Sequence, residues 1–407
     1  MLSSAVVIAL PPALRARDFR NLLFGQLVST TGTQMQHVAV VWQLYVLTRS
    51  PLALGLIGFF RVAPIVALAL GGGLVADAFD RRRLMLVTQT VLASVSVTLA
   101  VASHLGVVRP ALLYALVAVG ATAVAFDNPA RQALVPLLVP AENLSGALSL
   151  AFTGWQVASI AGPAIAGVVL AWRGAVAIYA IDAATFLAVI GALLAMRHRA
   201  PPRETPLGLG AVREGLRFVR RTPVIRTTML LDFFATFFGG SMLLMPIFAD
   251  QLLRVGPRGL GILYAAQPAG AALAGIFLAS RSLPRRQGAA ILWAVAAYGG
   301  SLAVFGASRS FPLSLAMLAV AGAADTLSTV IRQTLRQLLT PDALRGRMSS
   351  INMIYFMGGP QLGEVEAGVV ARGFGPRVSV ASGGLLCVAV AAVTALVSPS
   401  LRRFERG

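Results

Sequence analysis

No lysine occurs anywhere in the 407 residues, so all 34 basic side chains are arginines. A phosphate-gripping P-loop needs a lysine after its glycines and is therefore excluded. One cysteine, Cys387, and three scattered histidines exclude a Cys/His metal cluster, and no GxSxG segment offers a nucleophile elbow. No cofactor is called for. Charge itself is scarce. Only 12% of the residues are charged and 57% are hydrophobic, with a mean hydropathy of +0.79, whereas a soluble domain is about one quarter charged. The opening MLSSAVVIALPPAL has no basic residue ahead of its short apolar stretch, so a cleaved signal peptide is not expected.

What is present in quantity is long apolar runs. A spanning helix needs about 20 apolar residues. Twelve such runs are expected, near 21–45, 52–77, 84–104, 109–130, 146–171, 174–196, 227–250, 259–280, 288–307, 311–333, 347–371 and 377–398. The net charge of +19 could point to nucleic acid, but the arginines are placed otherwise. With the amino terminus inside, 25 fall on cytosolic segments and 8 on the opposite side, with Arg61 inside a span. That is the positive-inside bias. It predicts both termini in the cytosol of a multi-pass protein of the cytoplasmic membrane, its arginines facing anionic lipid and no nucleic-acid partner.

The one substantial polar stretch, 197–226, predicts a cytosolic linker. Val212, Leu216 and Val219 fall on one face beside Arg213, Arg217 and Arg220, as in an amphipathic helix lying on the membrane surface. It divides the chain into a tail (1–20), a six-helix bundle (21–196), a second six-helix bundle (227–398) and a closing tail (399–407). The halves echo each other. Arg131-Gln132 and Pro140 recur as Arg332-Gln333 and Pro341 at a constant spacing of 201 residues. Two six-helix repeats with a site between them are an alternating-access architecture. The expected fold class is thus an all-α membrane protein of 12 transmembrane helices in two pseudo-symmetric halves.

Several segments carry a resemblance. GGGLVADAFDRRR (Gly71 to Arg83) resembles the loop between the second and third helices of major facilitator superfamily transporters. LRARDFRNLLFGQLVSTTGTQM, FDNPARQALVP, LLDFFATFFGGSMLLMPIFADQLL, GLGILYAAQPAGAALAG and PDALRGRMSSIN resemble the enterobactin-exporter-like branch of the drug:proton antiporters. The resemblance runs from about Leu14 to Ser398. It implies a major facilitator fold, usually a monomer, that exchanges protons for an amphipathic small molecule. In this sequence the aspartate-then-basic pair usual in the loop is Asp77-Ala78, leaving Arg81 to Arg83 to serve.

Residues follow from placement. Asp77, Asp127, Arg131, Arg81, Arg82 and Arg83 cluster at one membrane face and are expected to form a cytosolic gate. Asp127 and Arg131 stand four apart, suited to an ion pair. Charges within spans are costly and default to function, which singles out Arg61, Asp232, Asp325 and Glu364 as candidates for proton or substrate coupling. Arg61 and Glu364 are expected to pair across the halves in one state and to part in the other, with a structural pairing of Arg61 inside its own half as the competing reading. Desolvation around Asp232 favours a neutral carboxyl, as a proton carrier requires. Asp182, in peripheral span six, is expected to bond a neighbouring helix. His37, Gln36, Gln43, Trp42 and Trp155 are candidates to line the cavity, with interhelical hydrogen bonding and packing as the competing reading. Gly162, Pro163, Gly167, Gly359 and Pro360 are expected where helices bend or approach closely.

With no ATP site encoded, an ion or substrate gradient is the expected energy source. The resulting expectation is a proton-coupled exporter of an amphipathic molecule, either a siderophore or a drug. A facilitator or importer of the same fold, or a receptor that has lost transport, are the alternatives.

Overall fold

The computed structural model describes residues 11–69, 80–197, 217–281, 283–341, 344–402 and 404–405. Asp77 and residues 212–216 of the expected amphipathic helix lie outside the described residues. Backbone amides in hydrocarbon find no water, so apolar runs of this length resolve as helices. Among the described residues there is no strand. The main helices are α1 (Arg17–Thr48), α2 (Pro51–Ala69), α3 (Arg81–His104), α4 (Pro110–Leu138), α5 (Leu144–Ala195), α6 (Pro223–Phe238), α7 (Gly256–Ala279), α8 (Gln287–Ala307), α9 (Phe311–Leu339), α10 (Arg345–Phe374) and α11 (Pro376–Val397). Nine runs among the described residues are long and apolar enough to cross a membrane. Helices α1 and α10 are as long but carry more polar side chains.

Local chemistry sets the boundaries. Helices α4, α6, α7, α9 and α11 each have proline in the first two positions, where a missing N–H costs nothing. Asp80 caps α3, its carboxylate accepting from the amides of Arg82 (2.9 Å) and Arg83 (3.1 Å), which satisfies two otherwise orphaned donors. Two expected spans, 146–171 and 174–196, are one continuous helix, α5. At about 1.5 Å per residue a straight α5 would be far longer than a bilayer is thick. It doubles back at Gly174, whose φ of 75° breaks the helix. Both arms then meet the same stretch of α1: Gln34 bonds Ser159 (3.2 Å), and Gly32 packs on Asp182 and Thr185. The expected span 227–250 is also interrupted, because Gly239 and Gly240 end α6 and short pieces (Met242–Leu244, Met245–Ile247 and Phe248–Leu252) continue it.

Helices α1 to α5 pack mainly on one another, as do α6 to α11, and the two groups meet chiefly along α2 against α10 and α5 against α7. Small residues permit both approaches. Gly55 of α2 faces Gly368 of α10 with room for no side chain, and Gly167 of α5 faces Gly261 of α7 likewise. All four lie toward the end where α1 finishes, hereafter the distal end. The apolar core follows the same division. One large cluster joins both groups at the distal end, with Val41, Tyr45, Leu54, Leu170, Phe248, Leu260 and Phe305 all buried in it. Toward the opposite, terminal end the core splits into clusters that belong to one group each. A 670 Å³ cavity opens there beside Gln333, Arg336, Gln337 and Asn352. Among the described residues the two groups share a core distally and have separate cores toward the terminal end.

Candidate functional site

Asp232 on α6 and Asp325 on α9 share one cavity of about 190 Å³ inside the second group, and Glu364 on α10 lines it as well. Thr236, Ser241, Gln267 and Tyr298 complete its polar wall. Three of the four in-span charges singled out from sequence are therefore brought together. Asp232 is ion-paired with Arg332 of α9 at 2.6 Å, a close contact of two nearly buried side chains. Arg332 also donates to Ser328 (2.8 Å) and Thr329 (2.9 Å), and Asp325 lies within the electrostatic reach of both Arg332 and Asp232. Arg332 entered the sequence reading only as a repeat marker.

The fourth charge, Arg61, does not close an ion pair with Glu364. It donates to Nδ1 of His37 on α1. Arginine has no acceptor and can only donate, so Nδ1 is the acceptor and the ring proton sits on Nε2. The pair expected to form in one state and break in the other is not formed in this one: the two charges feel each other through space, with His37 holding the guanidinium. His37 in turn meets Tyr264 of α7 edge-on, ring centroids 6.1 Å apart, and the Tyr264 hydroxyl donates to the Met242 carbonyl (2.9 Å). Glu364 is buried, and its Oε2 has no hydrogen-bond partner.

The glutamines on α1 face neighbouring helices, not open space. Gln36 donates to Ser96 (2.8 Å) and Gln43 to Ser103 (3.0 Å) on α3, and Tyr179 donates to Gln43 (2.7 Å). Ser96 also donates to Asp182 (2.6 Å), placing that carboxylate in an interhelical network. Trp42 packs against Tyr45, and Trp155 is exposed on α5. Gly162 lets α5 sit on Gln34 and Thr31 of α1, and Gly359 lets α10 sit on the Phe233 carbonyl of α6. Pro163 and Pro360 lie inside helices that continue through them.

At the terminal end, Asp127 pairs with Arg131 (2.6 Å) and accepts from Thr88 (2.8 Å) and Gln89 (2.9 Å). Arg81 donates to the Ala133 carbonyl, and Arg82 to those of Leu193 and Leu194, while Arg83 is exposed. Each of these bonds stays within the first group. In this state, the described members of the expected gate clasp α3, α4 and α5 to one another and do not bridge the two groups.

The bridge is distal, and sequence reading missed it. Arg49, held in the left-handed region at φ 49° where α1 ends, pairs with Asp250 (2.6 Å). The Tyr45 hydroxyl donates to the same Asp250 oxygen (2.6 Å) and accepts from Gln251 (3.0 Å). Its hydrogen bond with Tyr45 first, and that with Asp250 second, raise the Arg49 pKa above the ordinary arginine value, so this latch keeps its cation at any physiological pH. Both charged partners are partly exposed, at 56% and 36%, and exposed pairs contribute at most about 1 kcal/mol. Asp250→Asn is accordingly expected to lower distal closure by less than about fivefold, read as the distance distribution between spin labels on α2 and α10. A complete loss of closure would mean that the latch, and not the packing beneath it, holds that end.

Two helix groups that share a core at one end have the architecture of a transporter of the major facilitator type, a multi-pass membrane protein. The chain belongs to the transmembrane secretion effector family, whose model matches residues 9–406. It is 26% identical over 393 residues to the enterobactin exporter EntS of Shigella boydii, covering 95% of this chain and 93% of that protein. The same protein in Escherichia coli O127:H6 matches to the same extent. A bacterial homologue of the human lysosomal transporter Spinster, in an inward-facing and occupied conformation, shares the fold with a TM-score of 0.76 at 14% identity, over 98% of this chain and all of that one. A bacterial homologue of the iron transporter ferroportin, inward-facing, superposes with a TM-score of 0.71 at 15% identity, over 93% and 98%.

Proposed function

We propose that the protein is a proton-coupled exporter of an amphipathic organic molecule, working by alternating access across the cytoplasmic membrane. Counting α1, α10 and both arms of α5 gives twelve spans, in halves 21–196 and 227–398 joined by a cytosolic linker, with both termini in the cytosol. The terminal end is then the cytosolic one, and the separate cores of the two groups there support a state open to the cytosol. The observation that carries the reading is the Asp232–Arg332 pair beside Asp325 and Glu364 at one cavity. A buried ion pair with further carboxyls beside it at one cavity is the arrangement that coupling needs. One proton entering under 100 mV supplies about 2.3 kcal/mol, enough for roughly fifty-fold accumulation.

Efflux and a siderophore cargo are supported by the 26% identity to an enterobactin exporter; a macrolide-like drug is the second cargo class. In the opposite state, with the terminal end closed, Asp77, Asp127, Arg131 and Arg81 to Arg83 are placed to gate it. The test is ΔpH-driven flux in proteoliposomes holding the purified protein, with a catecholate siderophore and a macrolide compared. Flux that needs the gradient and collapses in Asp232→Asn is the expected result. Flux indifferent to the gradient would make the protein a facilitator, and the absence of any flux would overturn the cargo assignment.

A further inference from the structure

The closing tail does not trail away from the bundle. From Ser398 it turns back across the terminal ends of α6, α8 and α11, and Pro399–Arg402 forms one helical turn against all three. Ser398 shares a hydrogen bond with Thr227 of α6 (3.3 Å), and Glu405 pairs with Arg286, the residue before α8 (3.0 Å). Leu401 is fully buried. Its apolar cluster contains Leu231 and Ile331, the chain neighbours of Asp232 and Arg332.

The start of α8 is shaped to receive this tail. No side chain caps it. The Gly288 amide, too early in the helix for an intrahelical acceptor, donates to the Phe404 carbonyl (3.3 Å). Any side chain at Gly288 would run into the Leu401 carbonyl. Gln287 stands between the tail-bound residues Arg286 and Gly288 with no exposed surface, and neither its Nε2 nor its Oε1 has a hydrogen-bond partner. The seat therefore carries a penalty. Fully burying a leucine and orphaning a buried amide are free-energy terms of the same order and opposite sign. The exposed Arg286–Glu405 pair adds little to either side.

We propose that the closing tail is a releasable strap which, when docked, holds α6 and α9 in the register of the Asp232–Arg332 pair. Leu401 holds the strap down and Gln287 opposes it. Docked, the strap ties the terminal ends of α6 and α8 together; released, it gives water access to Gln287 and loosens α6 at Thr227, five residues before Asp232. The consequence for transport rests on the proton-coupled reading above. Docking itself is measured without flux, so either can fail alone.

The test is amide hydrogen exchange on the full-length protein in lipid nanodiscs, resolved to single residues by mass spectrometry. Because the Gly288 amide has the tail as its acceptor, its protection reports docking. In the unmodified protein it is expected to exchange faster than the amide of Ile291, buried further along α8, yet slower than an unbonded amide. No protection, or protection equal to that of Ile291, would overturn the releasable strap. Gln287→Leu removes the orphaned amide and is expected to raise Gly288 protection about tenfold, whereas Leu401→Ser is expected to lower it about tenfold. Leu401→Met refills the same seat and is expected to restore it. Unchanged protection in Gln287→Leu would overturn the balance described; should a variant fold poorly, the comparison within the unmodified protein still decides. The pair is read separately. Labelling of Asp232 by dicyclohexylcarbodiimide, which needs a carboxyl free of Arg332, is expected to speed up in Leu401→Ser, slow in Gln287→Leu and return to its original rate in Leu401→Met. A labelling rate indifferent to all three would overturn the strap's hold on the pair.

Discussion

Arg332→Met is expected to destabilise the protein by about 3–5 kcal/mol, since removing one partner of a buried ion pair strands the other. The stranded group is the Asp232 carboxylate, which is 6% exposed and 2.6 Å from the guanidinium. Asp232→Asn alone is expected to cost a comparable amount, because Arg332 then keeps only Ser328 and Thr329. The double variant, Asp232→Asn with Arg332→Met, removes both charges and is expected to recover most of the stability, as buried pairs exchanged for neutral groups commonly do. Thermal unfolding in detergent ranks the three. Flux separates the roles: a pair that only holds helices together returns transport in the double variant, whereas a coupling pair leaves it abolished.

Gly261→Val is expected to prevent distal closure. A side chain at Gly261 would run into the Pro163 carbonyl and come within 2.8 Å of the Gly167 Cα. Those are backbone atoms of a packed helix and cannot rotate aside. Overpacking of this kind costs about 1–3 kcal/mol or more. The upper part of that range shifts a two-state population by about a hundredfold. With cysteines placed at Arg49 and Asp250, oxidative cross-linking reports closure directly; Cys387, the one native cysteine, is buried and stays silent. Cross-linking is expected to fall by about a hundredfold in Gly261→Val and hardly at all in Gly275→Ala, where open space surrounds the glycine. Unchanged cross-linking would show that α5 and α7 need not touch for the end to close.

Both expectations rest on features unequally visible in sequence. The helices were legible because hydrocarbon forces continuous apolar runs, and Asp232, Asp325 and Glu364 because charge in such runs is rare. The role of Arg332 was hidden by its resemblance to Arg131. A signal was available. Arg131 has Asp127 one turn before it, but Arg332 has Ser328 there, so its counter-charge had to come from another helix. The glutamine stripe carried a similar signal. Gln36 and Gln43 stand seven apart, as do their partners Ser96 and Ser103, the register of two parallel helices in contact. The replacement of Glu364 by His37 at Arg61 was not legible, because the register between the two groups is set by glycines that pack in space with no local pattern. The distal latch was missed because Arg49 and Asp250 look like ordinary residues next to short turns.

The turns themselves have a further consequence. At the distal end the connections are Arg49 and Ser50 between α1 and α2, Gly174 within α5, Gly375 between α10 and α11, and none exceeds the five residues from Leu105 to Arg109. An antibody or a soluble partner arriving from that side meets helix ends and almost no loop to grasp. Reagents meant to recognise the folded protein there must read the juxtaposed ends of several helices, so their binding would report which state the bundle is in. An epitope tag inserted at Gly174 would have to be accommodated inside a helix reversal made by one residue, which makes that position a poor choice for mapping topology.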